Sequence, residues 1–244
     1  FLPHIPGIEI LHGGIDTMVD VYKNVGQGYG HLTFIQDDRT KFRRKSLQIF
    51  LSTVGTHEQQ ILEEKLNERE KFYPSPLLES CSTLQERKFV LDMKKYKKKY
   101  YETNFCDEEK SVCHAYLEGM QWVLDYYTRG VPNWKWRYKY HYAPFSSSLS
   151  KYIGSFLFPE YPASSPTLPF IQLLSVLPPD SSVLIPSPLS DLLISDTSPM
   201  KQCCPTEFKI DLSGCKAEWE GVVVLPMVDY DLVEKLYLEK IKHV

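Results

Sequence analysis

Eleven of the 17 prolines fall between Pro159 and Pro226. A proline offers no amide proton to a helix turn or a strand ladder, and its ring crowds the turn before it, so no long helix or central strand can run through that stretch. Short helical or extended pieces joined by Ser/Pro turns are what remains, and such a segment wraps a core more readily than it forms one. Residues 169–176 and 187–194 read as short helices, and residues 221–225 as the best strand candidate. Residues 229–242 read as a closing helix, with Asp229 as N-cap and Lys240 and Lys242 in the last turn.

The first half carries helical periodicity. Ile15, Met18, Val19 and Tyr22 predict a helix over residues 12–23, closed by Asn24 and Gly26, Gly28 and Gly30. Asp37 and Asp38 precede an apolar run from Phe42 to Val54, Gly55 is the expected stop, and a second amphipathic run covers residues 57–72. The pair reads as a helical hairpin or a kinked long helix. Pro74 and Pro76 mark a loop reaching Thr83, and from Gln85 the period is again helical, with Arg87, Lys88, Lys94, Lys95, Lys97, Lys98 and Lys99 crowding one segment. Residues 108–128 form the clearest helix. Val112, Ala115, Tyr116, Gly119, Met120, Val123, Leu124 and Tyr127 make its apolar stripe, and Gly130 and Pro132 end it. No internal repeat is visible. The expected fold is mainly α with a few short strands (α+β), an irregular Pro-rich second half wrapping a helical core.

Charge excludes little. With 28 basic and 31 acidic residues the net charge is −3, so any affinity for nucleic acid has to come from local patches. The longest apolar runs, such as residues 222–228, fall far short of the roughly 20 residues needed to span a bilayer, which argues against a membrane partner. The opening residues, with Pro3, His4, Pro6, Glu9 and His12, do not read as a signal peptide. Cys81, Cys106, Cys113, Cys203, Cys204 and Cys215 are too scattered for a disulfide scaffold and suit a reducing compartment.

The densest chemistry follows the clearest helix. Val131-Pro132-Asn133-Trp134-Lys135-Trp136-Arg137-Tyr138-Lys139-Tyr140-His141-Tyr142-Ala143-Pro144-Phe145 mixes two tryptophans, three tyrosines, a histidine and three cations. Rings with cations at a helix exit suit a platform on which bases stack while phosphates meet charge, although burial is the commoner fate of aromatic rings. Spacing alone leaves both open. Asp37-Asp38, Glu63-Glu64 and Asp107-Glu108-Glu109 read as helix caps and solvated charge, and the basic run 87–99 as a solvated face before a phosphate grip. Cys106, Cys113 and His114 lack a second pair at zinc spacing, His4 reads as a capping or packing residue, and Gly26, Gly28 and Gly30 lack the strand that a phosphate loop needs.

Residues 116–145 resemble the signature of the Xrn-type 5′→3′ exoribonucleases, a helix ending in tyrosines followed by a Gly-Val-x-Ser-Trp-x-Trp-x-Tyr-Pro-Tyr-His-Tyr-Ala-Pro-Phe loop. Four further stretches are similar in the same order: residues 1–10 with Gly14-Ile15-Asp16, residues 100–105, residues 169–179, and residues 198–226. Asn133 stands where the family usually has serine and Lys139 where it has proline. Gln202-Cys203-Cys204 and Ser213-Gly214-Cys215 also depart from the pattern.

The resemblance implies that residues 1–244 are the second conserved region of the nuclease core. Residues 1–83 would be a helical segment after the catalytic domain, 84–150 helices and the aromatic loop, and 151–244 the Pro-rich wrap and closing helix. It implies an enzyme that degrades single-stranded RNA bearing a 5′-monophosphate to mononucleotides with Mg²⁺. The metal-binding acids lie in an N-terminal catalytic region of the same protein, the last of them just before Phe1. This chain then holds no catalytic or metal residue, braces the active site, and is inactive alone. Trp134 and Trp136 are the expected RNA-stacking residues, with Arg129, Tyr138 and His141 in support. The alternatives are a relative that has lost catalysis and survives as an RNA-binding or scaffolding protein, and a domain that packs without touching RNA. Residues 174–178 and 219–222 look closer to the cytoplasmic branch, a nuclear location remaining open.

Overall fold

The computed structural model describes residues 2–9, 13–205 and 207–242. The fold is mainly α with short antiparallel strand pairs, as expected, and the chain divides into two compact units.

The first unit comprises Phe1–Pro132, Arg137–Pro162 and Leu212–Gly221. It opens with α1 (Gly14–Tyr29), which runs on through Gly26 and Gly28 instead of closing near Lys23. The expected start at His12 lies outside the described residues. Val21 and Val25 bury the inner face of this helix against Ile8 and Val54, and that packing outweighs the weak helix propensity of glycine.

A hairpin follows, β1 (Thr33–Gln36) with β2 (Arg39–Phe42), and then α2 (Arg44–Gly55) and α3 (Glu58–Asn67). Asp37 and Asp38 are therefore not a helix start. They form the two-residue turn, with φ of 52° and 57°, and aspartate tolerates left-handed backbone better than most residues.

The stretch expected as a loop and basic helix also resolves differently. It contains α4 (Pro76–Glu79), the hairpin β3 (Ser82–Gln85) with β4 (Lys88–Leu91), and α5 (Met93–Asn104). Every boundary of β3, β4 and α5 lies 49 residues after that of β1, β2 and α2, from Thr33 and Ser82 to Gly55 and Asn104. Buried Leu47 and Leu51 of α2 correspond to buried Tyr96 and Tyr100 of α5. The chain thus contains a repeat of hairpin and helix.

α6 (Glu109–Arg129) and α7 (Ser146–Tyr152) complete the unit. α2 and α7 touch at Gly55, where an added Cβ would lie 2.8 Å from Ser147 Cβ. Beside that contact Glu58, 1% exposed, accepts from the Ser147 amide at 3.0 Å and the Ser147 hydroxyl at 2.7 Å, and pairs with Lys97 Nζ at 2.8 Å. Lys97 also hydrogen-bonds Ser147. Charge, hydroxyl and amide together satisfy a carboxylate that could not otherwise be buried. Lys97, unlike its neighbours in the basic run, is a structural cation.

The second unit comprises Asn133–Trp136, Ala163–Asp211 and Val222–Val244. It holds α8 (Pro169–Val176), α9 (Asp191–Ile194), the strand pair β5 (Lys209–Asp211) with β6 (Val222–Val224), and α10 (Tyr230–Ile241). α8 matches the expected bounds. α9 is shorter than residues 187–194, because turns occupy the residues after Pro186. Asp229 caps α10 as expected, accepting from the Asp231 and Leu232 amides at 3.1 Å. The unit has its own core of Ile171, Leu174, Ile185, Leu189, Leu192, Leu193, Met200 and Val233.

Candidate nucleic-acid interface

α6 carries the site, and its buried face is not the one that apolar spacing predicts. The inward residues are Val112, Cys113, Tyr116, Leu117, Gly119, Gln121, Trp122 and Asp125, while Tyr127, expected inside, is 74% exposed. The reason is an ion pair. Asp125, 2% exposed, receives Arg39 Nε at 3.0 Å and Arg39 Nη2 at 2.5 Å. Gln121 Nε2 adds a bond to Asp125 at 3.1 Å and another to the Thr40 carbonyl at 3.0 Å. Arg39 also donates to the Pro159 carbonyl at 2.9 Å. The Asp125 hydrogen bond, against burial, holds the Arg39 guanidinium more firmly protonated than usual. A bidentate pair with further donors can be buried where a lone carboxylate could not, and it turns α6 to present Tyr127 outward.

At that end of the helix Trp122 and Tyr126 stack with centroids 5.7 Å apart and planes 7° from parallel, and Tyr126 meets Tyr127 edge-on at 5.2 Å. Arg129 is exposed beside them, and Gly130 ends the helix at φ 89°. Tyr127 is a candidate contact that the sequence reading missed, since its spacing assigns it to the core. The departure of Gln121 and Asp125 from an apolar stripe is the signal that could have found it.

Beyond the helix the aromatic loop splits. Tyr138 belongs to the first unit and is 8% exposed, packed edge-on to Tyr116 at 5.5 Å and Tyr140 at 5.3 Å, with its hydroxyl donating to the Tyr142 carbonyl at 2.9 Å. It offers no free face to a base, so its expected supporting contact with RNA is replaced by an anchoring role. Burial pushes the Tyr138, Tyr100 and Tyr116 hydroxyls well up, leaving neutral donors. Tyr100 donates to the Ala143 carbonyl at 2.8 Å, Tyr116 to the Pro3 carbonyl at 2.9 Å, and the Phe145 amide donates to Tyr101 Oη at 3.1 Å. His141 is half-buried in the same unit.

Trp134 and Trp136 belong to the second unit. Trp134 is 45% exposed, and its amide donates to Ser164 Oγ at 2.8 Å. Trp136 is half-buried. Between them Lys135 reaches Glu234 at 2.8 Å, which fastens the segment to α10. The five expected residues thus divide as Arg129, Tyr138 and His141 in one unit, and Trp134 and Trp136 in the other.

The acidic residues hold structure together. Glu63 accepts from the Leu91 amide at 2.9 Å and from Gln59 at 3.0 Å. Asp107 accepts from Lys139 at 2.7 Å and from the Tyr140 hydroxyl at 2.6 Å, and these bonds draw its carboxyl below the usual range. Glu108 supplies no side-chain cap to α6, and Glu109 instead accepts from Tyr152 at 3.2 Å. Among the described residues no three His, Cys, Asp or Glu side chains gather as metal ligands. Cys113 is buried with its thiol pushed well up, which makes it a packing residue. His4 is exposed. No described helix is long and apolar enough to cross a membrane.

A helical scaffold with an aromatic helix exit and loop, held by buried tyrosines, is what the geometry defines. The chain belongs to the family described as the Xrn1 helical domain, which it matches over residues 1–93 and 82–243. It is 43% identical over 140 residues to the 5′-3′ exoribonuclease 2 of Cryptococcus neoformans, covering 55% of this chain and 12% of that protein. The Drosophila melanogaster 5′-3′ exoribonuclease 2 homolog is 29% identical over 292 residues, covering 94% of this chain and 32% of that protein. The Saccharomyces cerevisiae 5′-3′ exoribonuclease 1 is 35% identical over 182 residues, covering 70% and 12%. The chain spans a third or less of the length of these relatives.

Proposed function

We propose that this chain is the helical part of a 5′→3′ exoribonuclease that degrades single-stranded, 5′-monophosphorylated RNA to mononucleotides. In this reading the chain braces the active site and lines the RNA path. The family match across nearly the whole chain carries the proposal, because the relatives it resembles are named 5′-3′ exoribonucleases. Divalent ions, Mg²⁺ by the family resemblance, would be held by acids of an N-terminal catalytic region and would supply water activation and stabilisation of the leaving oxygen there. The residues here do different work. Trp134 offers a ring face, Trp136 the second ring of the motif, and Arg129 and His141 charge and hydrogen bonds, while Tyr138, Tyr100 and Tyr116 hold the loop. The cytoplasm is the proposed compartment.

The test is mononucleotide release from 5′-monophosphorylated RNA by the natural full-length protein with Mg²⁺. Release is expected, and its absence would overturn the enzymatic reading. Trp134→Ala and Trp136→Ala are expected to weaken RNA binding by about 1–3 kcal/mol for each ring that stacks on a base. Unchanged affinity at low salt would assign both indoles to packing alone.

A further inference from the structure

The basic run on α5 holds a second arrangement that the fold does not explain. Lys97 is accounted for by Glu58. Lys95 and Lys99, one turn apart, both converge on Ser80, the residue that follows α4: Lys95 Nζ donates to its carbonyl at 3.2 Å and Lys99 Nζ to its hydroxyl at 3.2 Å. Neither ammonium is ion-paired among the described residues. Asp92, three residues before Lys95, is engaged as the N-cap, accepting from the Lys95 amide at 2.9 Å.

Lys94 and Lys98 repeat the same spacing on the neighbouring exposed stripe, and Lys98 approaches Glu102 at no less than 3.9 Å. Like charges at i,i+4 repel, and Lys94 and Lys95 sit in the first turn, where the helix dipole disfavours cations. A fold seeking stability alone would place carboxylates here. Focusing two ammonium groups on one exposed serine creates instead a site whose repulsion an anion relieves, while the Ser80 hydroxyl, accepting from Lys99 at 3.2 Å and donating to the Leu77 carbonyl at 2.9 Å, helps to position them.

We propose that Lys95 and Lys99, drawn together at Ser80, form a phosphate clamp for the sugar–phosphate backbone of RNA, extended along α5 by Lys94 and Lys98. The clamp rests on the proposed RNA-degrading role. It would hold the strand by charge without reading bases, because each contact is to phosphate.

The experiment compares the full-length wild-type protein, K95A/K99A, and K23A/K71A. The last variant removes the same charge from lysines that pair with Asp20 and Glu68 elsewhere on the first unit. Affinity for a 5′-monophosphorylated single-stranded RNA is measured from 50 to 200 mM salt. Each lost phosphate contact lowers the slope of log affinity against log salt by about 0.7, so K95A/K99A should lose about 1.4, and its deficit should shrink about sevenfold across that range. K23A/K71A should track wild type. An unchanged slope in K95A/K99A, or an equal change in both variants, overturns the clamp. Mononucleotide release by the wild type is scored separately, so failure of the clamp is distinguishable from failure of the enzymatic reading.

Discussion

Removing Asp125 tests whether a buried charge orients α6. Arg39 is 8% exposed and Asp125 2%, so neither charge can turn to water when its partner is removed. Asp125→Ala leaves the Arg39 guanidinium with the Pro159 carbonyl and the Tyr161 ring, 5.9 Å away, as its remaining compensation. It also strips Gln121 Nε2 of one acceptor. Breaking a buried pair from one side costs about 3–5 kcal/mol. At roughly 1.4 kcal/mol per tenfold, amide protection in the middle of α6 should fall by about two to nearly four orders of magnitude in hydrogen exchange. The double variant Arg39→Met/Asp125→Leu removes both charges and should recover most of that loss, since apolar replacement of a whole pair is often neutral. A loss of less than tenfold in Asp125→Ala, or a double variant that exchanges faster than the single, would refute the argument that this pair sets the rotation of α6.

Two further outcomes follow from packing and charge. Gly55→Ala should destabilise by about 1–3 kcal/mol, read as a lower urea midpoint, because the new Cβ would meet Ser147 Cβ at 2.8 Å and its Cα and amide nitrogen at 2.9 Å, and backbone cannot step aside as a side chain can. Acid should weaken the first unit through Glu9. Burial opposes the Glu9 charge, but the Lys65 ammonium at 2.7 Å and backbone amides outweigh it and hold the carboxyl below its usual range. A group depressed in the fold contributes stability above its unfolded value, and that stability is lost as pH falls through the folded one. Lys65→Met should therefore move acid unfolding to higher pH, and an unshifted acid limb would count against the pair.

What the sequence revealed follows from where local chemistry and tertiary packing agree. α8, α10 and the body of α6 were legible because a proline at the first turn, a capping aspartate and a glycine stop act within a few residues of the backbone they shape. The hairpins were not. Each strand is four residues long, the turns are Asp37-Asp38 and Glu86-Arg87 in place of a glycine-bearing pair, and all four turn residues adopt positive φ. The 49-residue repeat escaped for a related reason. Leu47 and Leu51 become Tyr96 and Tyr100, which preserves burial and helical position while changing the side chain, so repetition survives in geometry and fades in residue identity. That substitution also bears on function. The tyrosines of the second copy bring hydroxyls that the leucines lack, and Tyr100 spends its own on the Ala143 carbonyl of the aromatic loop. The second repeat thus does what the first cannot: it ties the loop carrying the family signature to the core.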